Sequence, residues 1–196
     1  MRNSFYRQIT TWIILLCCVE VAEALTDKYR CSWRENPATS MVIGWNQISG
    51  NSPVVHFGTT DGGATLEYYT RSQRADRHVQ AKGMNNHFAR LTGLMPNTLY
   101  FFVIQDSEGI SEVMSFQTVP DTPDGRISII AGGDSRNHRD ARQNANELVG
   151  KLSPHAVMFG GDMTSGDKAD QWQNWFDDWQ LTITKEGRLT PIIPAR

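Results

Sequence analysis

Cysteine is scarce: 3 in 196 residues, and two of them, Cys17 and Cys18, fall in the first two dozen positions. Once that leading segment is removed only Cys31 remains, which excludes an internal disulfide even in an oxidising compartment. Cys31 is then either a small buried apolar side chain or a thiol that pairs beyond Arg196. An excess of either charge is missing too. The net charge of -2 gives no basic field for nucleic acid and no acidic solvating tail. Nor is there an apolar run long enough to anchor the chain in a membrane. The run from Trp12 to Val19 stops at Glu20, well short of the ~20 residues that spanning requires.

What that short run does fit is an export signal. Arg2 and Arg7 precede it, and Ala22-Glu23-Ala24 supplies the small-x-small pattern of a cleavage site. Leu16 and Cys17, which stand before the two early cysteines, are not the small residues that precede a lipid-linked cysteine. The expectation is a signal peptide over residues 1–24, a mature chain beginning near Leu25, and a secreted or periplasmic protein without a stable membrane anchor.

From Tyr29 to Pro120 the pattern is that of strands. Runs rich in β-branched and aromatic residues at Ser40 to Trp45, Val54 to Thr59, Leu99 to Ile104 and Val113 to Thr118 are separated by Gly, Asn, Pro and Asp clusters. Met41, Ile43 and Trp45 alternate with Val42 and Gly44, so one face of that strand enters a core. This spacing predicts an antiparallel sandwich over residues 29–120. His56, His78 and His87 lack carboxylate or cysteine partners at ligand spacing and read as surface or core histidines.

The period changes after the Pro- and Gly-rich linker at residues 121–126. Ile127 to Ala131 is a continuous apolar run, as expected of a strand covered on both faces. Ala141, Ala145, Leu148, Val149 and Leu152 recur at helical spacing, and a second apolar run spans Ala156 to Phe159. Strand, helix and strand at these lengths predict two parallel neighbours. A second helix is expected from Ala169 to Leu181, with Trp172, Trp175, Phe176 and Trp179 as a core stripe, and a third strand over Thr190 to Pro194.

The chemistry is placed at the ends of those strands. Gly132-Gly133-Asp134 follows the first and Gly160-Gly161-Asp162 the second. Parallel neighbours end on one edge, where open α/β sheets bind ligands, so both carboxylates are expected to project into one crevice. Like charges in close approach resist joint ionisation unless a cation lies between them, and a metal pair is the natural resolution. A single Gly-Asp is a common turn dipeptide; two, each after an apolar strand and separated by one helix, carry more weight.

At this point the sequence resembles a known family. Leu94-Met95-Pro96-Asn97-Thr98-Leu99-Tyr100 looks like the turn into a late strand of fibronectin type III domains, where a tyrosine hydroxyl bonds back to nearby backbone. Asp134 and Asp162 match the first two aspartate motifs of the metallophosphoesterase superfamily. The preceding sandwich, with Gly161-Asp162-Met163-Thr164-Ser165-Gly166-Asp167 and the Trp172 and Trp175-Phe176 positions, resembles the purple acid phosphatase branch. The resemblance implies a multi-domain chain: an all-β, fibronectin type III-like sandwich, then the first part of an α/β metallophosphoesterase sandwich over residues 127–196. It implies that Asp134 binds one metal and Asp162 bridges two, and that an asparagine and several histidines complete the site beyond Arg196. It also implies hydrolysis of phosphomonoesters by a two-metal mechanism in the complete protein, with residues 25–196 inactive on their own.

Two departures from the family pattern stand out. Its tyrosine ligand, three residues after the bridging aspartate, is Ser165 here, so no tyrosinate-to-iron band is expected and iron, zinc or manganese all suit the site. The position two after Asp134 is Arg136, which cannot ligate; it either clamps a phosphate oxygen or is a surface side chain. His138 is close enough in sequence to substitute for a missing metal ligand. The alternative is a secreted binding module on a degenerate, metal-free scaffold, because sandwiches and α/β sheets each host many functions.

Overall fold

The computed structural model describes residues 23–195, so the export segment expected at residues 1–24 lies outside the described residues apart from Glu23 and Ala24. Eight strands build the first layer pair: β1 (Thr26–Ser32), β2 (Ser40–Gln47), β3 (Val54–Gly58), β4 (Arg71–Arg74), β5 (Arg77–Ala81), β6 (Met84–Thr92), β7 (Leu99–Gln105) and β8 (Met114–Gln117). They form two antiparallel sheets ordered β1-β2-β6-β5 and β4-β3-β7-β8. One face of β2 enters the core as read, with Met41, Ile43 and Trp45 all at 1% exposure or less, but the opposite face is not left accessible: Ser40, Gly44 and Asn46 are buried there and Val42 is half-buried. Met41, Ile43 and Trp45 meet Val55, Phe57, Phe102 and Phe116 of the opposite sheet in one cluster. Each such side chain contributes ~1.5–3 kcal/mol on leaving water, which makes this cluster the main stabilising element of the sandwich. At the corner before β7, the Met95 backbone N–H donates to the Tyr100 hydroxyl at 2.9 Å, the bond expected of a tyrosine at this position.

A three-stranded parallel sheet follows, built from β9 (Ile129–Gly132), β10 (Ala156–Phe159) and β11 (Ile192–Pro194) in the order β11-β10-β9. Helix α1 (Arg139–Leu152) joins β9 to β10, and α2 (Ala169–Trp179) precedes β11. Helix α1 stops because Ser153 takes a left-handed backbone, with its N–H on the Val149 carbonyl, just before Pro154. Both helices pack on one face of the sheet, where Val149, Val157, Phe159, Trp175, Trp179 and Ile192 form a second core.

The structure departs from three expectations. Strand β9 is covered on one face only: Ile130 joins the second core, whereas Ile129 and, on the neighbouring strand, Met158 are 44% and 49% exposed. Both helices lie on the other side, and no layer covers this one among the described residues. In α1 the buried positions are Arg142, Asn146 and Val149, while Leu148 and Leu152 face solvent. A buried carboxylate on α2, Asp178, turns the helix toward its polar partners. In the aromatic stripe of α2, Trp175 and Trp179 are core and half-buried Phe176 packs against that core while also reaching Arg30 of the sandwich, but half-buried Trp172 lies outside it.

The segment between α2 and β11 sews the two parts together. Ser115 of β8 donates its N–H to the Gly187 carbonyl and accepts from the Leu189 N–H, and Cys31 of β1 pairs with Pro191 through the backbone. Leu189 lies in the core of the sandwich. The outer edges of β1 and β8, otherwise rows of open backbone groups, are thereby partly paired.

Candidate metal centre

The ends of β9 and β10 are laced together by backbone. Gly160 donates to the Gly132 carbonyl at 2.6 Å, Asp134 to Gly161 at 2.9 Å, and Arg136 to Asp162 at 2.8 Å. This approach depends on Gly133, since a Cβ there would sit 2.8 Å from the Gly160 nitrogen. Asp134 and Asp162 both adopt left-handed backbones, with φ of 53° and 51°. Aspartate tolerates this region because its short polar side chain satisfies nearby backbone. The same turn after each strand aims both side chains at one place above the carboxyl edge of the sheet.

The group between them is the Arg136 guanidinium. Its Nε donates to Asp134 Oδ1 at 2.7 Å and its Nη2 to Asp162 Oδ2 at 2.9 Å. The hydrogen bond that Arg136 donates to Asp134, the Asp134 charge, and then the same two contributions from Asp162 push the Arg136 pKa further above its ordinary value. Both carboxylates and the arginine are more than half exposed, so this triad is open to solvent. Arg136 itself has φ of 41°, in a region disfavoured for a long side chain, and it is held there from below. Arg142 Nη1 donates to the Arg136 carbonyl at 2.5 Å, and the rest of the Arg142 fork grips Asp178. Asp178 also accepts from Arg139 and Gln143. Burial pushes the Asp178 carboxyl up, but the bonds from Arg139, Gln143 and Arg142 outweigh it and leave the group below the usual carboxylate range.

The other candidates stand nearby. His138 heads α1 and, with Asp134, lines a cavity of about 330 Å³; its ring makes no bond to either aspartate. Ser165 is exposed, and its N–H donates only a long 3.4 Å bond to Asn137 Oδ1. No group of three metal-ligating side chains comes together among the described residues. The donor set nevertheless suits a cation: two carboxylates, hard oxygen donors, already converge on a positive charge. Sequence reasoning missed Arg142 and Asp178. The available signal was an arginine and an asparagine at buried helical spacing beside Val149, opposite one acid flanked by Trp175 and Trp179.

Comparison with known proteins bears on this geometry. Residues 26–118 match the family described as purple acid phosphatase, N-terminal domain. The chain carries a purple acid phosphatase N-terminal domain. Beyond that domain, the fold is shared with the solved purple acid phosphatase PPD1 from yellow lupin (Lupinus luteus) seeds, at a TM-score of 0.68 and 13% identity over 88% of this chain. It is shared also with the solved structure of PhoD, at a TM-score of 0.60 and 11% identity over 85% of this chain. The chain spans 35% and 38% of those two proteins, little more than a third of their length. No curated protein matches it in sequence. The purple acid phosphatase N-terminal domain thus occupies the sandwich, and the parallel sheet with its two aspartates lies where the likeness in fold continues. Among the described residues no helix is long and apolar enough to cross a membrane.

Proposed function

We propose that this chain supplies the first two metal-binding carboxylates of an exported phosphoric monoester hydrolase. The observation that carries the reading is the convergence of Asp134 and Asp162 on one cation at the carboxyl edge of a parallel sheet, directly after a purple acid phosphatase N-terminal domain. Asp134 and Asp162 would hold the metal pair, iron, zinc or manganese, with further donors from the complete protein. When bound, such ions lower the pKa of a coordinated water and polarise the phosphoryl oxygen.

The chain's own part is electrostatic. Asp162, anchored by its carbonyl to the Arg136 N–H, and Asp134, anchored by its N–H to Gly161, keep a fixed separation that a flexible loop would not give. Arg136 keeps the two negative charges together in the metal-free protein. Once it leaves the carboxylates, its fork of donors is available to a phosphate oxygen.

The test uses the natural protein at its full length, assayed for p-nitrophenyl phosphate hydrolysis and for bound metal. Asp162→Asn, at the carboxylate that both ions would share, is expected to lower turnover and metal content more than Asp134→Asn, each by at least about 10²-fold in turnover. Arg136→Gln raises KM about tenfold with metal content unchanged, the loss of a charged hydrogen bond. Unaltered turnover in Asp162→Asn would overturn the assignment, and a full-length protein that neither binds metal nor hydrolyses the ester is a scaffold instead.

A further inference from the structure

The outer face of the β1-β2-β6-β5 sheet carries an alternating stack of cations and rings. The strand register places Arg30, Gly44, Phe88 and Arg77 side by side across four strands. The Arg30 guanidinium lies 5.1 Å from the Phe88 ring on one side and 4.6 Å from Phe176 of α2 on the other, and Arg77 covers Phe88 at 5.9 Å. Gly44 permits this closure, because a Cβ there would meet the Phe88 ring at 3.0 Å and Arg30 Cγ at 3.3 Å. Arg30 is 8% exposed and bonded to the Lys28 carbonyl and Asn86 Oδ1, both neutral acceptors. Burial pulls its pKa down to about 10, which leaves it cationic at neutral pH.

Along this stack runs an open groove of about 680 Å³. Its walls hold five cationic side chains, Arg30, Arg34, Arg77, Lys82 and Arg90, against a single acid, Asp76, in a chain of net charge -2. Arg90 and Lys82 have carboxylate partners in Glu35 and Asp167. Among the described residues Arg30, Arg34 and Arg77 have none. The floor between the arginines is apolar, from Val42, Val79, Ala81 and Met84, and Trp172 also lines the groove. Four strands at their ordinary spacing span about 14 Å, room for more than one sugar ring.

We propose that this groove binds an acidic oligosaccharide, a chain of rings bearing sulfate or carboxylate groups. Its anionic groups meet the unpaired guanidinium edges of Arg34 and Arg77 and the buried charge of Arg30, and its ring faces rest on the apolar floor. A ring-free polyanion satisfies the charge but leaves the floor uncovered, and a neutral oligosaccharide does the reverse. The site is separate from Asp134 and Asp162 and does not depend on their metal chemistry.

The experiment is calorimetric titration of the metal-free protein with a heparin-derived hexasaccharide, with maltohexaose and tripolyphosphate as probes of each half of the recognition. The hexasaccharide is expected to bind with micromolar Kd that weakens as salt rises, and at least tenfold more tightly than either comparison probe. Arg34→Gln and Arg77→Gln are exposed substitutions that keep the fold, checked by an unchanged Tm; each weakens binding about tenfold, and Asp76→Asn strengthens it. No heat with the hexasaccharide at millimolar concentration, equal affinity for tripolyphosphate, or unchanged affinity in the double arginine variant would each overturn the proposal.

Discussion

Arg142 donates twice to one oxygen of Asp178, at 2.9 and 2.5 Å, and both side chains are at most 3% exposed. The third arm of the same guanidinium carries the Arg136 carbonyl. A buried pair thus supports the backbone of the residue that stands between the two candidate metal ligands. Removing one member of such a pair leaves the other charged and unpaired, which costs about 3–5 kcal/mol.

Asp178→Asn is therefore expected to lower unfolding stability by about that amount at pH 7, measured by urea denaturation. Its pH dependence follows from the depressed carboxyl. The stabilisation is fully present above the unfolded-state pKa of about 3.9 and is lost as pH falls through the lower folded value. The wild type should lose stability across that acid window, while Asp178→Asn shows a flatter acid limb. Parallel acid limbs in the two proteins would show that Asp178 is not the group responsible.

Gly133→Ala forces a Cβ against the Gly160 backbone, a contact of 2.8 Å that only backbone movement relieves. The expected loss is about 1–3 kcal/mol, typical of overpacking. Hydrogen exchange should also speed up at the Gly160, Asp134 and Arg136 amides, which carry the lacing bonds. Protection at wild-type levels would mean the two loops are not held through this contact.

Ser165 offers no phenolate. The full-length protein loaded with ferric iron is expected to lack an intense visible band from tyrosinate ligation, read by absorption spectroscopy. A strong purple absorbance that disappears on removal of one particular tyrosine would show that another residue has taken that place.

Exported protein is expected to begin at or near Leu25, read by N-terminal sequencing. Material that retains Trp12 to Val19 would exclude cleavage after Ala24.

The core face of β2, the tyrosine turn before β7 and the two Gly-Gly-Asp turns were legible because each rests on local chemistry. The run Ile127 to Ala131 misled, since continuous apolarity does not say which face will be covered: Ile130 is packed and Ile129 is not. Leu148 and Leu152 misled for a related reason. An apolar count cannot anticipate that Asp178, on the other helix, draws Arg142 and Asn146 inward. At the site, sequence placed the two aspartates and asked for a cation between them. That Arg136, read as a phosphate clamp or a surface side chain, reaches both carboxylates depends on its left-handed backbone and on the Arg142 bond beneath it, which only the tertiary arrangement supplies.

The seam made by Gly187, Leu189 and Pro191 sets an order of events during synthesis. β8 leaves the ribosome roughly seventy residues before Pro191, an interval of about 4–15 s at 5–20 residues per second. The sandwich thus has time to collapse while its core still lacks Leu189 and the edges of β1 and β8 are still open. During that interval the nascent chain is at its most vulnerable to strand addition by a neighbour, and the arrival of a short late segment closes it.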